Sequence, residues 1–437
     1  MESKKKVPTL NKVAYGIGTG GGCIFNQIAA AFLLNYYTDT VLIGAGAIAT
    51  MFLVCRIFDG VTDLVMGGIV DKTSSRLGKA RPWLIASAPL TLLGIVLLMN
   101  VPAGLGETGK LAYAYITYIF MSCIVYTIYG ISNTALLPLM THDKNESTML
   151  ATFSALGNNI IGLLAGSLIT PLVLNFGWKT SSVILGSATC VLILISGLLN
   201  KEMESMEEGR QRASVPMSEQ LPATLKNKYF WLLLLLGAFS LIMNANAIGA
   251  QIFYCNMVLK NPMFMSVLMT AGQLPGIFIL FLMPAISKKW NKKTFLLMGA
   301  VLIIVGFVIT GLAGENTTMI VVGTVIRSLG VGPILSAVFA LIPDVVEYGN
   351  WKFGIRSEGL ISSAQSIGSK IGIGVGSALT GWILAAVGYN PVAGPTQAVI
   401  HAVKFDYTWM GAILGIIILI IVLLLDVEKY TDQYNKD

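Results

Sequence analysis

The sequence predicts an all-α integral membrane protein, on three observations. Hydrophobic residues fill 55% of its 437 positions, charged residues only 12%, and mean hydropathy is +0.74. Soluble domains run nearer 45–50% apolar and about 25% charged. That apolar content suffices for about twelve membrane spans of ~20 residues each. Finally, one long charged, Pro-containing break, 200–228, parts six apolar stretches from six others. A soluble globular enzyme, a disordered chain and a nucleic-acid binder are thereby excluded. The net charge of +7 says less than where the Lys and Arg residues fall, because loop charge sets topology.

Taken in order, the start MESKKKVPTLNK is basic, and the apolar run behind it is longer than a signal-peptide core and lacks a small-residue cleavage site. It reads as a first span. Spans are expected at 13–38, 42–70, 82–101, 111–138, 151–176 and 180–199, then at 230–257, 264–286, 295–314, 317–343, 360–389 and 406–426. The organisation predicted is a six-helix bundle over 1–199, a cytoplasmic middle loop over 200–229 and a second six-helix bundle over 230–437. Two pseudo-symmetric halves suggest a site between them near the midplane. Their sequence likeness is faint: the 2–3 loop DKTSSRLGKARPW (from Asp71) has a weak counterpart in SKKWNKKTF (from Ser287).

With both termini in the cytoplasm, inner segments hold twenty-two Lys/Arg. Outer loops hold four: Lys110, Lys179, Lys260 and Lys404. This asymmetry puts both ends inside. The expected location is the bacterial inner membrane.

Several motifs mislead. Gly16-Ile17-Gly18-Thr19-Gly20-Gly21 matches GxGxxG, but a dinucleotide loop needs a preceding strand. Gly18/Gly22 and Gly368/Gly372/Gly376 read better as close helix contacts. The five cysteines, Cys23, Cys55, Cys123, Cys190 and Cys255, lie in apolar stretches without metal spacing and read as buried small residues. His142 and His401 are assigned to loops. Asn145-Glu146-Ser147 fits a glycosylation acceptor on the wrong side of the membrane. No catalytic residues, metal set or organic cofactor are expected.

Five ionisable residues lie well inside spans: Arg56, Asp59 and Asp63 in span 2, Arg327 in span 10 and Lys370 in span 11. Each costs roughly 2.5–3.5 kcal/mol at a helix centre, so each is a functional candidate. Asp59 and Asp63 share a helix face, with Arg56 on the same stripe. Their mutual repulsion would be relieved by a hard cation or by a proton. Alternatively, Arg56–Asp59 is a structural pair and Asp63 meets a lysine such as Lys370. Three cations against two anions leave one surplus positive charge inside the membrane, for which a negatively charged substrate is one candidate remedy. Arg327 could hold a carboxylate or sulfonate in bidentate fashion, or serve as a structural partner.

Here the sequence resembles a known family. Arg56-Ile57-Phe58-Asp59-Gly60-Val61-Thr62-Asp63 and the segment Asp71–Trp83 are similar to the glycoside–pentoside–hexuronide:cation symporters, typified by the melibiose carrier, within the major facilitator superfamily. Tyr36-Tyr37-Thr38-Asp39, Asp344-Val345-Val346-Glu347-Tyr348-Gly349 and Gly354-Ile355-Arg356-Ser357-Glu358-Gly359 match as well. The resemblance runs from about Lys12 to Val427 and implies the major-facilitator fold and alternating access. It implies a coupling-cation site at Asp59, Asp63 and Thr127, and a linking lysine at Lys370 with Gln365 nearby. The melibiose carrier's sugar-gripping residues are missing: its two aspartates fall at Cys23 and Gly130, its tryptophans at Thr134 and near Leu335, and its helix 5 arginine near Ala155.

Substrate contacts must then come from other polar groups at cavity-plausible depth, among them Asn26, Gln27, Asn133, Asn158, Asn159, Asn244, Asn246, Gln251, Tyr254 and Gln273. Helix–helix hydrogen bonding is the plainer use of such amides. The expected substrate set is Lys370, Arg327, Gln365, Asn26, Gln27, Thr134, Asn244 and Tyr254. Arg56, Asp71, Arg76, Arg81, Asp344, Glu347, Arg356 and Glu358 are the expected gating charges. The function expected is symport of a sugar, glycoside or hexuronide with Na⁺, ahead of H⁺, by a monomer whose partners are its small polar substrate and the lipid bilayer. The alternatives are a uniporter or exporter of a non-sugar compound, and a sensor on a transporter fold. A sensor would carry a sizeable signalling domain, for which the tails and middle loop are short.

Overall fold

A computed structural model of the chain describes residues 6–203, 217–286, 291–355 and 357–430. Arg356 lies outside the described residues, and so does the side chain of Glu358. Helices account for nearly all of the described chain, with no strand among them. Nine helical stretches among the described residues are long and apolar enough to cross a membrane.

The first unit holds α1 (Thr9–Thr40), α2 (Ala45–Lys72), α3 (Arg81–Leu98), α4 (Glu107–Met140), α5 (144–176) and α6 (178–199), together with residues 261–270 and 389–394. Asp143 starts α5 by accepting the Asn145 and Glu146 amides at 2.8 and 3.2 Å, satisfying helix-start donors that nothing else would reach. Gly177, at φ 73°, breaks α5 from α6 in the left-handed region that favours glycine. The α1 glycines are sites of close approach: a Cβ on Gly157 of α5 would overlap the Gly16 carbonyl. The GxGxxG run is therefore a packing seam. A buried ion pair, Lys12–Glu146 at 2.8 Å, staples the same two helices.

In the second unit are α7 (Met217–Lys226), α8 (Lys228–Val258), the rest of α9 (Phe264–Ile286), α10 (Lys292–Leu312), α11 (Thr317–Ala340), α12 (Ile342–Phe353), α13 (Glu358–Ala386) and α14 (397–424). The Asn227 side chain caps α8, accepting the Tyr229 and Phe230 amides. Gly372 and Gly376 of α13 rest on the α8 backbone at Ala238 and Ile242, as their spacing predicted. Thr396 caps α14, accepting the Val399 amide at 3.4 Å. This cap starts the last helix nine residues before the expected 406, so His401 and Lys404 are helical and not in a loop.

Each unit ties its third and last long helices together with the same device. In the first, Glu202, just past α6, accepts the amides of Lys79, Ala80 and Arg81 at 2.7, 2.9 and 2.8 Å. In the second, Glu428, just past α14, accepts the amides of Lys292 and Lys293 at 2.9 and 3.2 Å. A carboxylate on a helix N-terminus meets both its unpaired donors and its dipole. The basic residue that opens the capped helix returns the contact: Arg81 donates to the Gly197 carbonyl and Lys293 to the Leu423 carbonyl. The two units thus share this clamp although their sequences are only faintly alike.

Candidate functional site

Helix α2 presents Arg56, Asp59 and Asp63 at one-turn intervals. Asp59 is buried, and its two oxygens have different partners. Oδ1 accepts the Thr127 hydroxyl from α4 at 3.1 Å, and Oδ2 lies 3.5 Å from Arg56 Nη1. The Thr62 hydroxyl stands 3.3 Å from that of Thr127 and donates to the Asp59 carbonyl at 3.2 Å. Asp63, half-buried, follows one turn later. Two carboxylates and two hydroxyls on adjacent helices form an oxygen-rich corner with one guanidinium. The chemistry of that donor set suits a monovalent hard cation.

Local backbone geometry places Thr127. The α4 segment Ile119–Val125 winds as a π-helix, a form that recurs at functional sites. Within it the Cys123 thiol donates to the Cys55 carbonyl at 3.3 Å, fixing α4 against α2. Next to Thr127, Tyr126 accepts the Asn26 amide at 2.6 Å. Asn26, Asp59 and Thr127 are thereby gathered in one unit. Gln27 donates to the Gly162 carbonyl at 3.2 Å, while Thr134 is exposed on α4. Cys23 donates to Asn158 at 2.6 Å, and a side chain at Gly130 would meet open space. In the Tyr36–Asp39 motif, Asp39 accepts Asn35 at 2.6 Å, Thr38 at 2.8 Å and Tyr389 at 2.8 Å.

In the second unit Arg327 is buried between two rings, its guanidinium carbon 4.9 Å from the Phe307 centroid and 5.1 Å from that of Tyr407. Its Nη2 donates to the Tyr407 hydroxyl at 3.3 Å, whereas Nη1 has no hydrogen-bond partner among the described residues. Tyr254 stacks on Tyr407 at 4.6 Å and donates to the Gly314 carbonyl at 3.4 Å. Arg327 and Tyr254 thus share Tyr407. Gln365 lies apart from them, buried on α13 against Gly237 of α8, with Oε1 unpartnered among the described residues. Lys370, further along α13, and Asn244 on α8 are half-buried.

One buried acid escaped the sequence reading. Asp406, 2% exposed, accepts the Asn246 amide at 3.0 Å, and Asn246 in turn accepts the Thr380 hydroxyl at 3.2 Å. Placing the span start at 406 made this residue look like a helix end. The Thr396 cap followed by apolar Val399, Ile400 and Val403 is the signal that would have put it two and a half turns inside.

Of the expected gating charges, Arg56 lies within α2 and Glu347 within α12, while Asp71, Arg81 and Asp344 sit in terminal turns of helices and Arg76 in the loop between α2 and α3. Asp71 and Arg76 are exposed, and Arg81 donates to carbonyls at Gly197, Leu77 and Leu198. Asp344 pairs with Lys292 at 2.7 Å, and Glu347 has a polar partner of its own.

Residues 14–429 match the family model described as MFS/sugar transport protein. The isoprimeverose transporter of Lactiplantibacillus pentosus is 28% identical, with 93% of this chain and 86% of that protein aligned. A glucuronide carrier protein homolog of Escherichia coli (strain K12) is 28% identical over 90% of this chain and 87% of its own. Among solved structures, the nucleoside transporter NupG superposes with a TM-score of 0.63 at 14% identity, covering 95% of this chain and 99% of that one; at that identity the likeness speaks for the fold alone. A helical membrane chain with paired intramembrane carboxylates, matched from end to end by a transporter family, is no enzyme. It belongs to the glycoside–pentoside–hexuronide sugar symporters of the major facilitator superfamily.

Proposed function

We propose that this protein couples inward Na⁺ movement to uptake of a sugar glycoside or hexuronide by alternating access, with both termini in the cytoplasm. The observation that carries the reading is the Asp59 corner, where Thr127 and Arg56 hold one carboxylate and Asp63 follows one turn away. The pair of acids favours Na⁺ over H⁺, since it supplies several oxygen ligands where a proton needs one. Each charge that crosses 100 mV releases about 2.3 kcal/mol, roughly a fortyfold accumulation before any Na⁺ concentration gradient is counted.

For the substrate, Arg327 and Lys370 offer positive charge and Gln365, Asn26, Gln27, Thr134, Asn244 and Tyr254 offer polar contacts. Glucuronide in the name of one relative supports an anionic sugar, and so does the unpartnered Nη1 of Arg327. The internal bond of Cys23 to Asn158 argues against a melibiose-type grip on helix α1. Arg56, Asp71, Arg76, Arg81, Asp344, Glu347, Arg356 and Glu358 serve as gate charges.

The test is uptake of labelled glucuronide and labelled pentoside into vesicles holding the full-length protein. Imposed Na⁺ and pH gradients are compared separately. Na⁺-driven accumulation of the glucuronide is expected, with Asp59→Cys reduced to equilibration. Identical uptake with and without either gradient, or an Asp59→Cys variant that still concentrates solute, overturns the proposal.

A further inference from the structure

A second polar cavity lies away from the Asp59 corner, at the ends of α2, α3, α4 and α6. It has a volume of about 550 Å³ and is walled by the 73–79 loop, Arg81, Leu139 and residues 201–203. This is within the range of small-ligand pockets. Four cations, Arg76, Lys79, Arg81 and Lys201, converge on it with a single carboxylate, Glu202. That carboxylate is already taken by the amides of Lys79, Ala80 and Arg81. Arg81 spends its guanidinium on main-chain carbonyls. No ion pair neutralises any of the four among the described residues.

Loop cations that merely set topology have no reason to surround one concave volume. Here they do, and the one carboxylate among the described lining residues, Glu202, is turned inward onto a helix start. We propose that this cavity binds a phosphate ester, held by the four cations. Its position favours one source. The ends of four long helices meet there, and Leu77, Leu139 and Met203 supply an apolar edge for a glycerol or acyl stem. Basic pockets between membrane helices recognise anionic headgroups. Phosphatidylglycerol supplies the required phosphodiester; a soluble phosphate monoester carries the same recognisable group.

The experiment has a lipid arm and a soluble arm, both on full-length protein. In the first, protein in nanodiscs of phosphatidylcholine with phosphatidylglycerol is released for native mass spectrometry and retained lipids are counted. In the second, glycerol 3-phosphate is titrated while thermal unfolding is followed. The double variant Lys79→Gln/Lys201→Gln removes two charges and should weaken binding about thirtyfold. The double variant Lys79→Arg/Lys201→Arg should keep it, which separates lost charge from lost folding. Retained phosphatidylglycerol that disappears in the Gln pair supports the site with a lipid ligand. A glycerol 3-phosphate shift that disappears in the Gln pair, without lipid preference, supports the site with a soluble ligand. Equal retention of both lipids and no phosphate shift, or equal behaviour of the Gln and Arg pairs, overturns it.

Discussion

Asp59 is where a single atom's partner decides a mechanism. Its Oδ1 leans on a hydroxyl and its Oδ2 on a guanidinium. Asp59→Asn keeps shape and most hydrogen bonding but removes the charge. Binding measured with and without Na⁺ should then lose its Na⁺ dependence, while the fold persists. Thr127→Val deletes one hydrogen bond to a charged group, worth about 1.5–3 kcal/mol. Apparent Na⁺ affinity, read from the salt dependence of uptake, should fall about tenfold or more. Asp406 makes the contrasting case of an acid with an amide and a hydroxyl for company and no cation among the described residues. Asp406→Asn should be tolerated, whereas Asp406→Ala strands the buried Asn246 amide. Thermal unfolding should register a loss of about 1–3 kcal/mol for Ala alone. Asp59 was legible because a charge in mid-span is conspicuous. Asp406 was not, because its exposure depends on a helix start fixed by a threonine cap ten residues earlier.

Among the elements, glycine seams set how close helices come. At Gly157, where the α1 backbone lies against α5, valine has no side-chain tip to rotate away and must push backbone apart. Gly157→Val should lower stability by about 1–3 kcal/mol, seen as a reduced unfolding temperature in detergent. Valine at Gly130, which meets open space, should cost little. Every predicted span overlaps an observed helix because apolar length is a coarse, additive signal. The start of α14 was misjudged because a capping side chain, not hydropathy, sets it; Thr9–Thr40, expected as 13–38, runs past its apolar stretch without any side-chain cap. The π-helical turns were invisible, since a shift from i→i+4 to i→i+5 pairing leaves no periodic trace in so short a run.

For the molecule as a whole, direction comes from the ion gradient and not from affinity. Dissipating the membrane potential with an ionophore, at equal Na⁺ on both sides, should collapse the roughly fortyfold accumulation to equilibration without changing the equilibrium exchange rate. Counter-flow of labelled substrate in de-energised vesicles separates the two. Fold class was readable from composition alone, because a bilayer admits few ways to satisfy backbone polar groups. Substrate identity was not readable, because it rests on a handful of polar side chains whose neighbours come from distant helices. Arg327 illustrates this: in the sequence it reads equally as an anion hook or a structural partner, and in space two aromatic rings flank it while its Nη1 has no partner among the described residues.

The twin carboxylate clamps at Glu202 and Glu428 bear on how such carriers diversify. Both are built on main-chain amides, and neither uses a residue of the proposed substrate set. A lineage can therefore exchange its solute-gripping residues, as the Cys23 and Gly130 positions here suggest, without loosening the frame that moves them.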